Sequence, residues 1–125
     1  MKRILLADDE VAILLAFKKM LEGPGVQVEA VDSTKKAQSS LKNRNCDVLL
    51  VDLRLQGTAD MQGLKLVEYA RKHKPSCFIV VFTAYGDEKI KSEAISAGAD
   101  LFLIKPVSPT NLKKILLTRN LYTQL

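Results

Sequence analysis

Five residues far apart in the chain carry side chains suited to one chemistry: Asp8, Asp9, Asp52, Thr83 and Lys105. Each ends or follows a short apolar run, so a sheet built from those runs would gather them along one edge. Carboxylates held within a few ångströms raise each other's pKa and resist joint ionisation. A divalent cation relieves that repulsion. Two or three carboxylates with no His or Cys beside them suit Mg2+, which keeps several waters and reaches a phosphoryl oxygen, and they make zinc a poor fit. With the Lys105 ammonium and the Thr83 hydroxyl, the set can hold the equatorial oxygens of a phosphoryl group in transfer. Asp52, central and metal-bound, is then the nucleophile. Taken singly, each residue has a plainer reading. A strand-end Asp is usually a cap or turn residue, Asp8 or Asp9 favours the N-terminus of a following helix, and a lone Lys is solvated.

The elements that must position these residues are legible as an alternation of apolar runs and helical spacing. The first strand is Ile4 to Ala7, followed by a helix with Ile13, Leu14, Phe17, Met20 and Leu21 on one face, ended by Gly23-Pro24-Gly25. A second strand, Val26 to Val31, leads through Asp32-Ser33-Thr34, any of which can cap a helix turning Ala37 and Leu41 inward. The third strand, Cys46 to Leu53, is almost continuously apolar, as a parallel strand covered on both faces should be, and Asp52 interrupts it near its end. Gln56 to Gln62 reads as a loop. Gly63 to Lys74 is a helix burying Leu64, Val67 and Ala70, stopped by Pro75. The fourth strand is Phe78 to Thr83. Asp87 or Gly86 opens a helix through Ile90, Ala94 and Ile95 that ends at Gly98, and the fifth strand is Leu101 to Ile104. Ser108 and Pro109 form an N-cap and N1 pair for a last helix burying Leu112, Ile115 and Leu116. Five βα units with right-handed crossovers predict a flavodoxin-like, doubly wound parallel sheet of five strands in the order 2-1-3-4-5, with five helices. Ligands in such sheets sit at the carboxyl ends of the strands.

A chain of 125 residues, 47% hydrophobic, predicts one domain spanning residues 1–125, its stretch 118–125 ending the last helix or beginning a linker. The net charge of +5 is spread along the chain with no nucleic-acid-binding signature, so direct nucleic-acid binding by this domain is not expected. No apolar run approaches the roughly 20 residues of a membrane span. Two cysteines, Cys46 and Cys77, are too few for a disulfide framework, and the chain opens without a charged-apolar-small leader. The expected compartment is a reducing cytoplasm. Each cysteine lies six residues before a strand-end site residue, which puts the two within reach of each other on adjacent strands as a pair of thiols or as a disulfide. His73, between Lys72 and Lys74, reads as solvated and not as a ligand.

These residues carry a resemblance that covers the chain. Ile4 through Glu10, Asp47 through Leu53, Thr83-Ala84, and Gly98-Ala99-Asp100 through Lys105-Pro106 resemble the motifs of the receiver domains of two-component response regulators. The resemblance implies that Asp52 is the phosphoacceptor, that Asp9 and Asp52 hold Mg2+ with Asp8 acting through a water, and that Thr83 is the switch hydroxyl. It makes Lys105 the phosphoryl-binding lysine and Phe102 the aromatic switch, and it implies a cis bond before Pro106. It further implies a sensor histidine kinase or histidine phosphotransfer protein as phosphoryl donor, and an output domain or effector as recipient. The surface of the fourth helix, fifth strand and fifth helix would change and would serve a homodimer. The domain would catalyse its own phosphorylation and dephosphorylation only.

The segment after the acceptor departs from the family pattern. Gln56 stands where proline is usual, and the loop to Gly63 is about three residues longer. The backbone carbonyl of Arg54 occupies the place of the third metal ligand. Arg54 and Tyr85, each two residues past a site residue, occupy positions that screen the phosphoryl group from water, with slow autodephosphorylation as the expectation. A flavodoxin would be repelled from its phosphate by Asp8-Asp9-Glu10. A haloacid-dehalogenase-like phosphatase would need an acid where Arg54 stands. The remaining alternative is a receiver-like interaction module that is not phosphorylated in its working cycle.

Overall fold

In the computed structural model, which describes residues 1–55, 62–84 and 86–118, strands and helices alternate strictly. They are β1 (Lys2–Ala7), α1 (Val11–Leu21), β2 (Val26–Val31), α2 (Thr34–Asn43), β3 (Val48–Val51), α3 (Gln62–His73), β4 (Phe78–Thr83), α4 (Glu88–Ala97), β5 (Leu101–Ile104) and α5 (Pro109–Leu117). All strand pairs are parallel, and the sheet order is β2-β1-β3-β4-β5, the expected doubly wound arrangement.

The apolar runs are continuous because both sheet faces are covered. Successive side chains of a strand point to opposite faces. Leu5, Leu49, Val51, Ile79 and Val81 meet Leu41 of α2, Leu66, Val67 and Ala70 of α3, and Ala94 of α4. Ile4, Leu6, Val48, Leu50, Val80 and Phe82 meet Phe17 and Leu21 of α1 and Leu112 and Leu116 of α5. Every residue of β3 is buried, and each such side chain contributes about 1.5–3 kcal/mol of transfer free energy.

Among the described residues three helix starts use side-chain caps. Ser33 accepts from Lys36 N–H, Asp87 from Ile90 N–H and Ser108 from Asn111 N–H, which selects one residue from the candidates before α2 and α4. Strand β3 is shorter than the predicted Cys46 to Leu53. Its length follows its neighbour: β1 ends at Ala7, opposite Val51, so the ladder stops there. Met20 and Ile95, placed by spacing on inward faces, are 42% and 45% exposed, because each lies at the rim of its helix's apolar stripe. Leu66, absent from that reading, is fully buried. The predicted loop lies outside the described residues except Gln62, which begins α3, as does the stretch after Thr118.

At the amino end of the sheet, Arg71 near the end of α3 ties three segments together. Its guanidinium donates to the carbonyls of Pro75, Cys77 and Gly98 and to Asp100 Oδ2, at 2.7 to 3.0 Å. The same Asp100 oxygen accepts from Ile79 N–H at 2.9 Å. Gly98 has φ +124°, and a Cβ there would lie 2.8 Å from Arg71 Cβ. A glycine is needed on both counts.

Candidate phosphoryl-transfer site

The candidate site residues are placed by backbone hydrogen bonds that run one step past the strand ends. Asp8 N–H donates to Val31 O at 3.1 Å, Asp52 N–H to Ala7 O at 3.0 Å, and Lys105 N–H to Thr83 O at 2.9 Å. Each side chain therefore leaves the sheet from a fixed point on its carboxyl edge.

Lys105 Nζ joins the acids. It donates to Asp8 Oδ2 at 2.9 Å, Glu10 Oε1 at 3.2 Å and Asp52 Oδ2 at 3.3 Å. It also stands 5.2 Å above the centre of the Phe82 ring, which is stacked on Phe17. A cleft of about 420 Å³ beside it is lined by Glu10, Ile13, Phe17, Phe82, Lys105 and Val107, among others.

Asp8 has no exposed surface, Asp52 is 5% exposed and Thr83 is fully buried at the end of β4. Burial pushes the Asp8 carboxyl up, and the hydrogen bonds from Lys105 and Glu10 N–H offset this only in part. Burial pulls the Lys105 ammonium down, but the Asp8 hydrogen bond and the charges of Asp52 and Asp8 outweigh it and push it up to about 12. The two shifts ask for opposite things, a neutral acid and a charged amine. The geometry favours the charged amine, since all three contacts of Lys105 are to carboxylates and its charge is shared among them. One ammonium does not balance three acids, and the group remains short of positive charge.

The carboxylates of Asp8, Glu10 and Asp52 offer oxygens that all lie within 4.8 Å of one another. The donor set is oxygen only, which fits a hard divalent cation such as Mg2+. Asp9 is exposed beside this cluster and its carboxylate is not part of it. Glu10 was not singled out in the sequence, although it closes the run Asp8-Asp9-Glu10. It is the N-cap of α1 but makes no side-chain cap, which leaves its carboxylate to reach Lys105. Asp8 Oδ1 accepts from Glu10 N–H at 2.9 Å, at the start of α1, while Oδ2 faces Lys105.

Arg54 is half-buried, and its N–H donates to Asp52 Oδ1 at 3.3 Å. Phe102 is partly buried and packs against the core on the α3 and α4 side. The Lys105–Pro106 bond is cis. Tyr85 lies outside the described residues. Helix α3 begins hard against the segment that carries Asp52: Gly63 N–H donates to Leu53 O at 2.9 Å. A Cβ on Gly63 would lie 2.6 Å from Leu53 Cα and closer still to the Asp52 carbonyl oxygen.

Residues 4–117 match the family model described as response regulator receiver domain. The chain belongs to that family. A receiver domain protein from Methanospirillum hungatei JF-1, described as CheY-like, superposes with a TM-score of 0.86 at 32% identity, covering 95% of this chain and 93% of that one. The alginate biosynthesis transcriptional regulatory protein AlgB of Pseudomonas putida is 37% identical over 111 residues, 89% of this chain and 24% of that protein. A cyclic di-GMP phosphodiesterase of Thermotoga maritima is 34% identical over 105 residues, 84% of this chain and 27% of that protein. The receiver domain thus spans about a quarter of the length of these two curated relatives. It is a module of two-component signalling proteins. Among its described residues no helix is long and apolar enough to cross a membrane.

Proposed function

We propose that this receiver domain accepts a phosphoryl group on Asp52 from the phosphohistidine of a sensor histidine kinase or phosphotransfer protein, in a Mg2+-dependent reaction in the cytoplasm. The observation that supports this best is the placement of a buried Asp52 carboxylate 3.3 Å from the Lys105 ammonium, within an acid cluster short of positive charge.

An Asp52 carboxylate oxygen attacks phosphorus, the P–N bond to the donor imidazole breaks, and its electron pair stays on the imidazole nitrogen. Lys105 Nζ binds a phosphoryl oxygen and holds the developing charge. The Thr83 hydroxyl accepts the role of switch, moving toward the phosphoryl group, with Phe102 following. Asp9, Asp52 and the Arg54 carbonyl would hold Mg2+, Asp8 through a water, and Glu10 adds charge from the rim. When bound, Mg2+ supplies positive charge that draws the phosphoryl oxygens onto the carboxylate edge. Arg54 and Tyr85 screen the acyl phosphate from water and lengthen its life. An Arg54→Ala, Tyr85→Ala double variant should therefore lose its phosphoryl group sooner.

The modified state shifts the surface of α4, β5 and α5 toward an output domain, an effector or a second copy of the chain. Chemistry ends with the domain's own phosphorylation and dephosphorylation. The domain is read as a single unit from residue 1 to 125. The decisive test is incubation with acetyl phosphate or beryllofluoride and Mg2+, comparing the native chain with Asp52→Ala. The native chain should gain one phosphoryl mass and Asp52→Ala none. No modification of either would favour an interaction module that works unphosphorylated.

A further inference from the structure

At the amino end of the sheet, opposite the acid cluster, Cys46 Sγ and Cys77 Sγ stand 3.4 Å apart as free thiols. The contact is imposed by the frame around it. Cys46 lies just before β3 and Cys77 just before β4, and that ladder opens with Val48 beside Phe78 and with Phe78 N–H donating to Asp47 O at 2.9 Å. Asp47 is fixed in turn, its Oδ2 accepting from Arg3 N–H at 2.8 Å. Cys77 is held by its N–H to Lys74 O at 3.0 Å and by its carbonyl, which accepts from Arg71 at 2.9 Å. Closing from this separation to a disulfide of about 2.05 Å takes little more than an ångström of side-chain movement.

The two thiols differ in access. Both line a cleft of about 370 Å³ together with Lys2, Asp47 and His73, but Cys46 is only half-buried there while Cys77 is 3% exposed. Access favours Cys46 as the sulfur that meets an oxidant first, and its Sγ lies 3.2 Å from Val48 O. The hydrogen bond with Cys46 and burial both push the Cys77 thiol up. A half-buried attacking sulfur backed by a buried resolving one is the arrangement of a redox-responsive pair.

We propose that Cys46 and Cys77 form a reversible dithiol–disulfide modification site whose oxidant is a hydroperoxide. The Cys46 thiolate attacks the terminal peroxide oxygen, the O–O bond breaks, and Cys46 becomes a sulfenic acid as hydroxide or alkoxide leaves. The Cys77 sulfur then attacks the Cys46 sulfur, the S–O bond breaks, and the Cys77 proton leaves with that oxygen as water. The two sulfurs are oxidised and the peroxide is reduced. The product staples the amino ends of β3 and β4, whose other ends lead to Asp52 and Thr83, and links residues 31 apart in sequence. A thiol donor restores the dithiol by exchange.

The test exposes the reduced chain to a small excess of hydrogen peroxide, then unfolds it in an alkylating agent and measures intact mass. The native chain should lose both alkylation sites while remaining monomeric, recover them with dithiothreitol, and melt several degrees higher when oxidised. Cys77→Ser should stop at a sulfenic acid on Cys46 that dimedone traps, and Cys46→Ser should keep Cys77 alkylatable, with circular dichroism confirming that both variants fold. The proposal fails if native thiols remain fully alkylated at a dose that labels Cys77→Ser. It fails equally if their loss is explained by disulfide-linked dimers or by further oxidation of Cys46.

Discussion

The two ends of the sheet each hold buried or half-buried charge, and they use it in opposite ways. At the amino end Arg71 makes five hydrogen bonds, as many as a guanidinium has N–H groups, and Asp100 accepts from both Arg71 and Ile79. At the carboxyl end one ammonium is shared among Asp8, Glu10 and Asp52, and the acids outnumber it. A satisfied network locks segments together. An unbalanced one leaves negative charge that a cation can offset, as the proposed reaction requires, and it sits beside the central strand β3, which is apolar and buried on both faces.

That contrast can be broken by exchanging the roles of the two cations. Lys105→Ala should cut phosphorylation by acetyl phosphate on the order of 100-fold, the scale of one lost donor to developing charge, measured by intact mass over time. If its rate matches the native chain, the lysine is structural and the contrast collapses. Arg71→Ala should leave the phosphorylation rate within about twofold but lower stability by about 2 kcal/mol, read from urea unfolding, because three carbonyls and Asp100 lose charged partners. A phosphorylation defect in the folded variant would mean that the two ends are coupled.

Two smaller effects sharpen the comparison at the carboxyl end. Gly63→Ala should cost about 1–2 kcal/mol of stability, since the added methyl meets the backbone of Asp52 and Leu53, and should slow phosphorylation by displacing the acceptor. Unchanged unfolding would show that α3 shifts freely there. Glu10→Gln should weaken Mg2+ binding only a few-fold, as judged by titration, because Glu10 is exposed and its charge is screened. An effect as large as that of Asp9→Asn would promote Glu10 from rim charge to direct ligand.

Much of this was legible in the chain because local rules agree with the global fold. The second, fourth and fifth strands run between the residues that their apolar runs predict, and the Ser108-Pro109 start of the last helix is a local signal. What local rules missed depends on neighbours. The third strand ends where β1 ends, a partner's length that its own sequence does not encode. Glu10 was not singled out, and only the approach of Lys105 from 95 residues away brings it to the site. Arg71 was not singled out in the sequence, because its four acceptors lie on segments that are brought together by folding.

By itself, then, the sequence determined the alternation of elements, the residue types at the strand ends and hence the chemistry available along one edge. Those follow from side-chain period and residue identity, which are properties of the chain alone. Tertiary structure decided which acids share the lysine, that Asp9 stands outside the cluster, and that two cysteines 31 residues apart touch. Such choices turn on distances of one or two ångströms between segments, and those distances are set by strand register and helix packing that no single segment carries.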